Sequence, residues 1–109
     1  MDLSPFPFST TDWKTVEPVV YNGITGTATW KTIFRDDIRI RLVEYSGGYV
    51  ADHWCSKGHI IFCIDGEMET QLEDGRKYKM TKGMMYTVGD NSDAHRTSTT
   101  TGCTLFIVD

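Results

Sequence analysis

From residue 24 onward, apolar and polar side chains alternate in short runs separated by turn residues, the two-residue period of half-buried strands. "TGTATWKTIF" and "IRIRLVEYS" flank "RDD" and predict a hairpin. "HIIFCI" and "EMETQL" flank Asp65-Gly66, and "KYKM" follows Asp74-Gly75. Asp-Gly pairs supply the positive φ that tight hairpin turns require. "MMYTV" and "CTLFIVD" bring the expected total to about eight strands. Residues 1–23 read as an N-terminal arm, in which "STTDWKTVEP" offers caps, an early acid and a proline stop that allow one short helix. No later segment has a 3.6-residue period. Many short antiparallel strands without helices predict an all-β fold, a barrel or sandwich over residues 24–109, in a chain that forms a single domain from 1 to 109.

Composition narrows the function classes. The 109 residues hold 15 acids against 11 Lys and Arg, a net charge of −4. Phosphate backbones demand a concentrated basic face, so nucleic acid is excluded as a partner. The densest basic group, Arg35, Arg39 and Arg41, alternates with Ile38, Ile40 and Leu42 and reads as a solvated strand face. No apolar run approaches the roughly 20 residues of a membrane helix, so no membrane association is expected. "MDLSPFPFST" lacks the basic start and apolar core of a signal peptide. Cys55, Cys63 and Cys103 are odd in number and show no C-x-x-C spacing, which predicts reduced thiols and a cytoplasmic location.

The chemistry concentrates in one loop. "DHWCSKGH", residues 52–59, holds two of the three histidines and one of the three cysteines; the third histidine is His95. If this stretch is extended, His53 and Cys55 point together, while Asp52 and Trp54 point away. "SKG" then turns, and His59 opens the next strand near where Cys55 ended. In a small barrel His95 can reach the same point. His53, Cys55, His59 and His95 are therefore the candidate metal ligands.

These residues carry a resemblance to the cupin superfamily. Its first signature is a glycine, five residues, a His-x-His pair, three or four residues, a glutamate, six residues and a glycine. Gly47, His53-Trp54-Cys55, His59 and Gly66 follow that spacing, with Cys55 at the second histidine and His59 at the glutamate. "KGMMYTVGDNSDAHRTST" resembles the second signature through Gly83 and His95, with one extra residue and Asp90, Ser92 and Thr99 at the usual proline, glycine and asparagine. "DHWC" is similar to a small group of single-domain cupins named for Asp-His and Cys/Trp at this position. The resemblance implies a jelly-roll β-barrel, a homodimer, and a metal held by His53, Cys55, His59 and His95. One thiolate and three imidazoles suit Zn²⁺ or Fe²⁺, with Ni²⁺ or Cu next, and disfavour Mg²⁺ and Ca²⁺.

With His59 facing inward, alternation turns Ile61 and Cys63 inward as well. A two-residue hairpin at Asp65-Gly66 then sets Met68, Thr70 and Leu72 opposite them as the pocket wall. Ile60, Phe62 and Ile64 fall on the other face and require cover from a second layer or a partner copy. Tyr86 is the one candidate proton or hydrogen-bond donor, and Asp90 and Asp93 are candidates to orient His95. Two readings follow: a metal-dependent enzyme acting on a small molecule, dioxygenase- or isomerase-like by resemblance, or a non-catalytic small-molecule-binding module whose metal is structural.

Overall fold

The computed structural model describes residues 2–109. It begins with an irregular segment and a single 3₁₀ turn at Trp13–Thr15, capped where the Asp12 carboxylate accepts from Lys14 N at 3.0 Å. The short helix that the sequence allows is reduced to this one turn. Eight strands follow: β1 (Pro18–Asn22), β2 (Thr27–Arg35), β3 (Ile38–Tyr45), β4 (His59–Leu72), β5 (Lys77–Thr81), β6 (Met85–Val88), β7 (His95–Ser98) and β8 (Cys103–Val108). β1 lies inside the stretch read as an arm. Proline costs no ladder bond as the first residue of an edge strand, and β1 pairs only with β2.

All pairings are antiparallel, and the strands form a jelly-roll barrel. β1, β2, β3 and β8 run in order into the first half of β4, which also pairs with β6. The second half of β4 pairs with β5 on one side and β7 on the other. β4 is thus shared by both walls. Asp65-Gly66 does not close a hairpin, contrary to the sequence expectation, because residues 59–72 form one continuous strand. Gly66 instead follows a β-bulge at Ile64, with φ +77°, where a Cβ would lie 2.3 Å from the Gly102 carbonyl oxygen. The glycine reads as a turn in sequence and serves as a bend in the fold.

The bulge inserts one residue of phase, as the hairpin would have done. Ile61 and Cys63 before it, and Met68 and Thr70 after it, are therefore all buried, as expected. The core joins Ile61, Cys63 and Met68 to Val43, Met80, Leu105 and Ile107. The predicted hairpin at Asp36-Asp37 is present, pairing Arg35 with Ile38. Ile60, Phe62 and Ile64 point outward and remain 41%, 40% and 37% exposed in the single chain. No helix among the described residues is long and apolar enough to cross a membrane.

Candidate metal centre

His59 is the first residue of β4 and His95 the first of β7, so both occupy positions fixed by strand pairing. Cys55 joins them through a two-way backbone bridge to His95, with Cys55 N donating to His95 O at 2.8 Å and His95 N to Cys55 O at 3.0 Å. The turn between Cys55 and His59 is closed by Gly58, whose N–H donates to Asp90 Oδ1 at 2.7 Å. A Cβ on Gly58 would lie 2.8 Å from both Asp90 N and Val88 O, so a larger residue there would displace His59. Asp90 thus acts on the His59 side of the site, not on His95.

Ligand atoms of Cys55, His59 and His95 lie within 4.8 Å of one another. Cys55 Sγ stands 3.4 Å from His59 Nε2. A thiolate and an imidazole sharing one tetrahedral Zn²⁺, at bond lengths of about 2.3 and 2.0 Å, stand about 3.5 Å apart. Both rings are anchored through Nδ1. His59 Nδ1 donates to Asp109 Oδ2 at 2.7 Å, and His95 Nδ1 to the Asp93 carbonyl at 3.0 Å. Those partners leave each Nε2 as a lone pair facing Cys55, the usual outer-shell arrangement of metal-binding imidazoles. Burial holds the His59 pKa below its ordinary value, against the opposing pull of Asp109, so the ring is neutral and able to ligate. His95 Nε2 is buried without a hydrogen-bond partner. An orphaned buried acceptor is costly unless something binds it. The three residues fit a transition metal.

His53 stands apart from this cluster. Its side chain is 76% exposed, and its Nδ1 lies 2.6 Å from Asp52 Oδ1. Residues 52 and 53 form a bend instead of running extended, so the alternation that would align His53 with Cys55 does not apply. The same bend brings Asp52 towards His53, reversing the expected separation.

Sequence reasoning missed Asp109, Arg39 and Arg41. Asp109 is 1% exposed in its side chain and binds Arg39 at 2.9 Å, Arg41 at 2.9 Å and His59 at 2.7 Å. Burial alone would raise its carboxyl, but the two arginines and His59 bring it down to about 2. Arg41 is buried, at 4% exposure, with its guanidinium carbon 4.3 Å from the centre of the Trp30 ring. The arginine face of β3 points into the barrel, the reverse of the solvated face expected. The signal was available in part: Arg39, Arg41, Val43 and Tyr45 share one face, and two of those four are apolar or aromatic residues that strands bury.

A cavity of about 300 Å³ opens onto the cluster, within the range of small-molecule sites. Cys55, His59, His95 and Ile61 form part of its wall, together with His53, Arg39 and Arg41. A second, more apolar cavity of about 370 Å³ shares Tyr86 and His95 with the first and takes in Thr70 and Leu72. Cys63 and Met68, placed in the pocket by alternation, pack in the buried core and line neither of these two cavities. Tyr86 is held mainly by burial at a pKa of about 12, which makes its phenol a donor and not a base at neutral pH.

No protein-family model matches the chain. No curated protein matches it either. Solved structures do match. A predicted oxalate decarboxylase of Thermotoga maritima superposes with a TM-score of 0.78 at 11% identity, covering 92% of this chain and 96% of that one. Ectoine synthase of P. lautus gives 0.75 at 15% identity, over 93% and 76%. An RmlC-like cupin of Shewanella frigidimarina gives 0.72 at 18% identity, over 94% and 89%. At these identities the likeness establishes the fold and nothing finer. The chain has the fold of these cupin structures.

Proposed function

We propose that the protein is a metal-dependent enzyme acting on a small molecule in the barrel cavity, with the metal held by Cys55, His59 and His95. The observation that carries this reading is the convergence of three ligand atoms around a buried His95 Nε2 that has no partner. Zn²⁺ or Fe²⁺ suits the donor set best, with Ni²⁺ next. Bound there, the metal would supply Lewis acidity to a substrate oxygen or a bound water. Asp109 and the Asp93 carbonyl orient the two imidazoles, and Tyr86 offers a protonated hydroxyl at the cavity wall. Three protein ligands are the number typical of catalytic zinc, whereas four close the site.

His53 favours one alternative. It lies at the same cavity, and a rotation that added it as a fourth ligand would make a closed, structural centre in a small-molecule-binding module. Elemental analysis of the purified protein tests both. One transition metal per chain is expected, lost in His59→Ala and His95→Ala and retained in His53→Ala. A Co²⁺-substituted protein should change its visible spectrum when azide is added. Full metal retention in both His59→Ala and His95→Ala would sink the centre; loss in His53→Ala with no azide response would replace the enzyme with the binding module. The exposed strip of Ile60, Phe62 and Ile64 supports a homodimer as the working assembly.

A further inference from the structure

The cavity wall beside the metal cluster carries a charge pattern that the metal does not explain. Arg39, Arg41 and Arg96 line the cavity and no acidic side chain does. Asp109, behind that wall, neutralises one of the two β3 arginines, so a net positive charge is left facing the space. Arg41 Nη2 is taken by Asp109, but Arg41 Nε is buried with no hydrogen-bond partner. Tyr86 Oη, on the same cavity, is also buried; the Thr70 and Thr97 hydroxyls are its neighbours, but it makes no well-formed hydrogen bond to either. A guanidinium N–H and a phenol O–H left unmade inside a protein each cost free energy that a bound acceptor recovers. Two such donors suit the two oxygens of a carboxylate. The remaining wall is largely aromatic, with Trp30, Tyr45 and Tyr49.

We infer that the ligand of this cavity is a small carboxylic acid with an apolar or aromatic body, its carboxylate bound by Arg41 Nε and the Tyr86 hydroxyl. This deepens the metal-enzyme reading by naming the substrate class, but the arginine wall stands independently of the metal. Calorimetric titration of benzoate, benzamide and inorganic phosphate into metal-loaded and chelator-treated protein tests it, with metal content measured on the same samples. Benzoate should bind at least about tenfold more tightly than benzamide in both forms, a difference of about 1.4 kcal/mol. Arg41→Lys, which keeps the charge but loses Nε, and Tyr86→Phe should each reduce that preference several-fold. Tyr86→Phe should at the same time leave the ligand-free protein as stable or more so, since it removes a buried hydroxyl that has no partner. Equal binding of acid and amide, or phosphate binding as tightly as benzoate, would overturn the assignment. So would an unchanged acid preference in Tyr86→Phe, the variant least prone to disturb folding. A protein that holds no metal yet prefers the acid would remove the metal reading and leave this one standing.

Discussion

At the scale of single residues, the three thiols differ enough to be counted chemically. Cys63 and Cys103 are buried, and burial pushes the Cys103 thiol up to about 12 and raises that of Cys63. Both should be inert to a thiol reagent at pH 8, because the thiolate is the nucleophile. Cys55 is only partly buried. Native protein treated with a chelator should therefore show one fast-reacting thiol, and metal-loaded protein none. Two or more fast thiols in the folded chain would contradict the core placement of Cys63 and Cys103. Asp109 makes a sharper case. Asp109→Ala leaves Arg41 as an unpaired buried charge, at a cost of roughly 3–5 kcal/mol in thermal or denaturant unfolding. It also frees His59 Nδ1, and should weaken metal binding by about 10- to 100-fold. Asp109→Asn keeps an acceptor oxygen for His59 and should retain more of both. Cys55, His59 and His95 were legible in sequence because their spacing is local to one loop or follows a known signature. Asp109 and Arg41 were not, since their roles come from the pairing of β3 with β8, and from the face of β3 that this pairing buries. His53 lies apart from the cluster for a different reason: spacing fixes a side chain's direction only where the backbone is extended.

At the scale of elements, β4 explains why the strand count was readable and the topology was not. Asp65-Gly66 has the sequence of a hairpin turn, and in isolation nothing distinguishes it from Asp74-Gly75, which lies in a true turn between β4 and β5. The difference is long-range. Gly66 lies against the backbone of Gly102 and Cys103, whereas Gly75 has open space where a Cβ would stand. Both have positive φ, at +77° and +99°. Gly75→Ala should therefore cost only the left-handed backbone penalty, about 1–2 kcal/mol. Gly66→Ala adds a backbone collision and should cost roughly 3 kcal/mol or more, as a lowered midpoint in urea. Equal costs at the two sites would mean that the bulge is not the rigid corner of the barrel. The inward and outward sets survived the wrong topology, since a bulge and a two-residue turn shift the alternation by the same parity.

At the scale of the whole molecule, the outer face of the sheet built from β3, β8, β4 and β6 is too apolar to be left in water. Phe62 pairs across the ladder with Phe106 on one side and Met85 on the other, and Ile60 with Val108. Leu42 and Ile40 extend the row through their pairing with Phe106 and Val108. Ile60, Phe62, Ile64 and Met85 are between 37% and 53% exposed, so the row forms a continuous strip and not scattered single residues. Contiguous apolar surface of this kind marks an interface. A second copy applied to the same face would make a closed two-fold contact, in which the strip buries itself. Sedimentation should accordingly give twice the chain mass at micromolar concentration. Phe62→Lys, which sets a charge at the middle of the strip, should shift the equilibrium to monomer without unfolding the barrel, because its side chain points away from the core. Tyr78→Lys, at a comparably exposed aromatic on β5 in the other wall, should leave the dimer intact. Dissociation by Tyr78→Lys but not by Phe62→Lys would move the interface to the β5 wall. A wild-type monomer at all concentrations would remove it. The cavity residues Arg41, Tyr86 and His95 belong to one chain, so metal and benzoate binding should persist in a Phe62→Lys monomer, with its lower stability as the main loss.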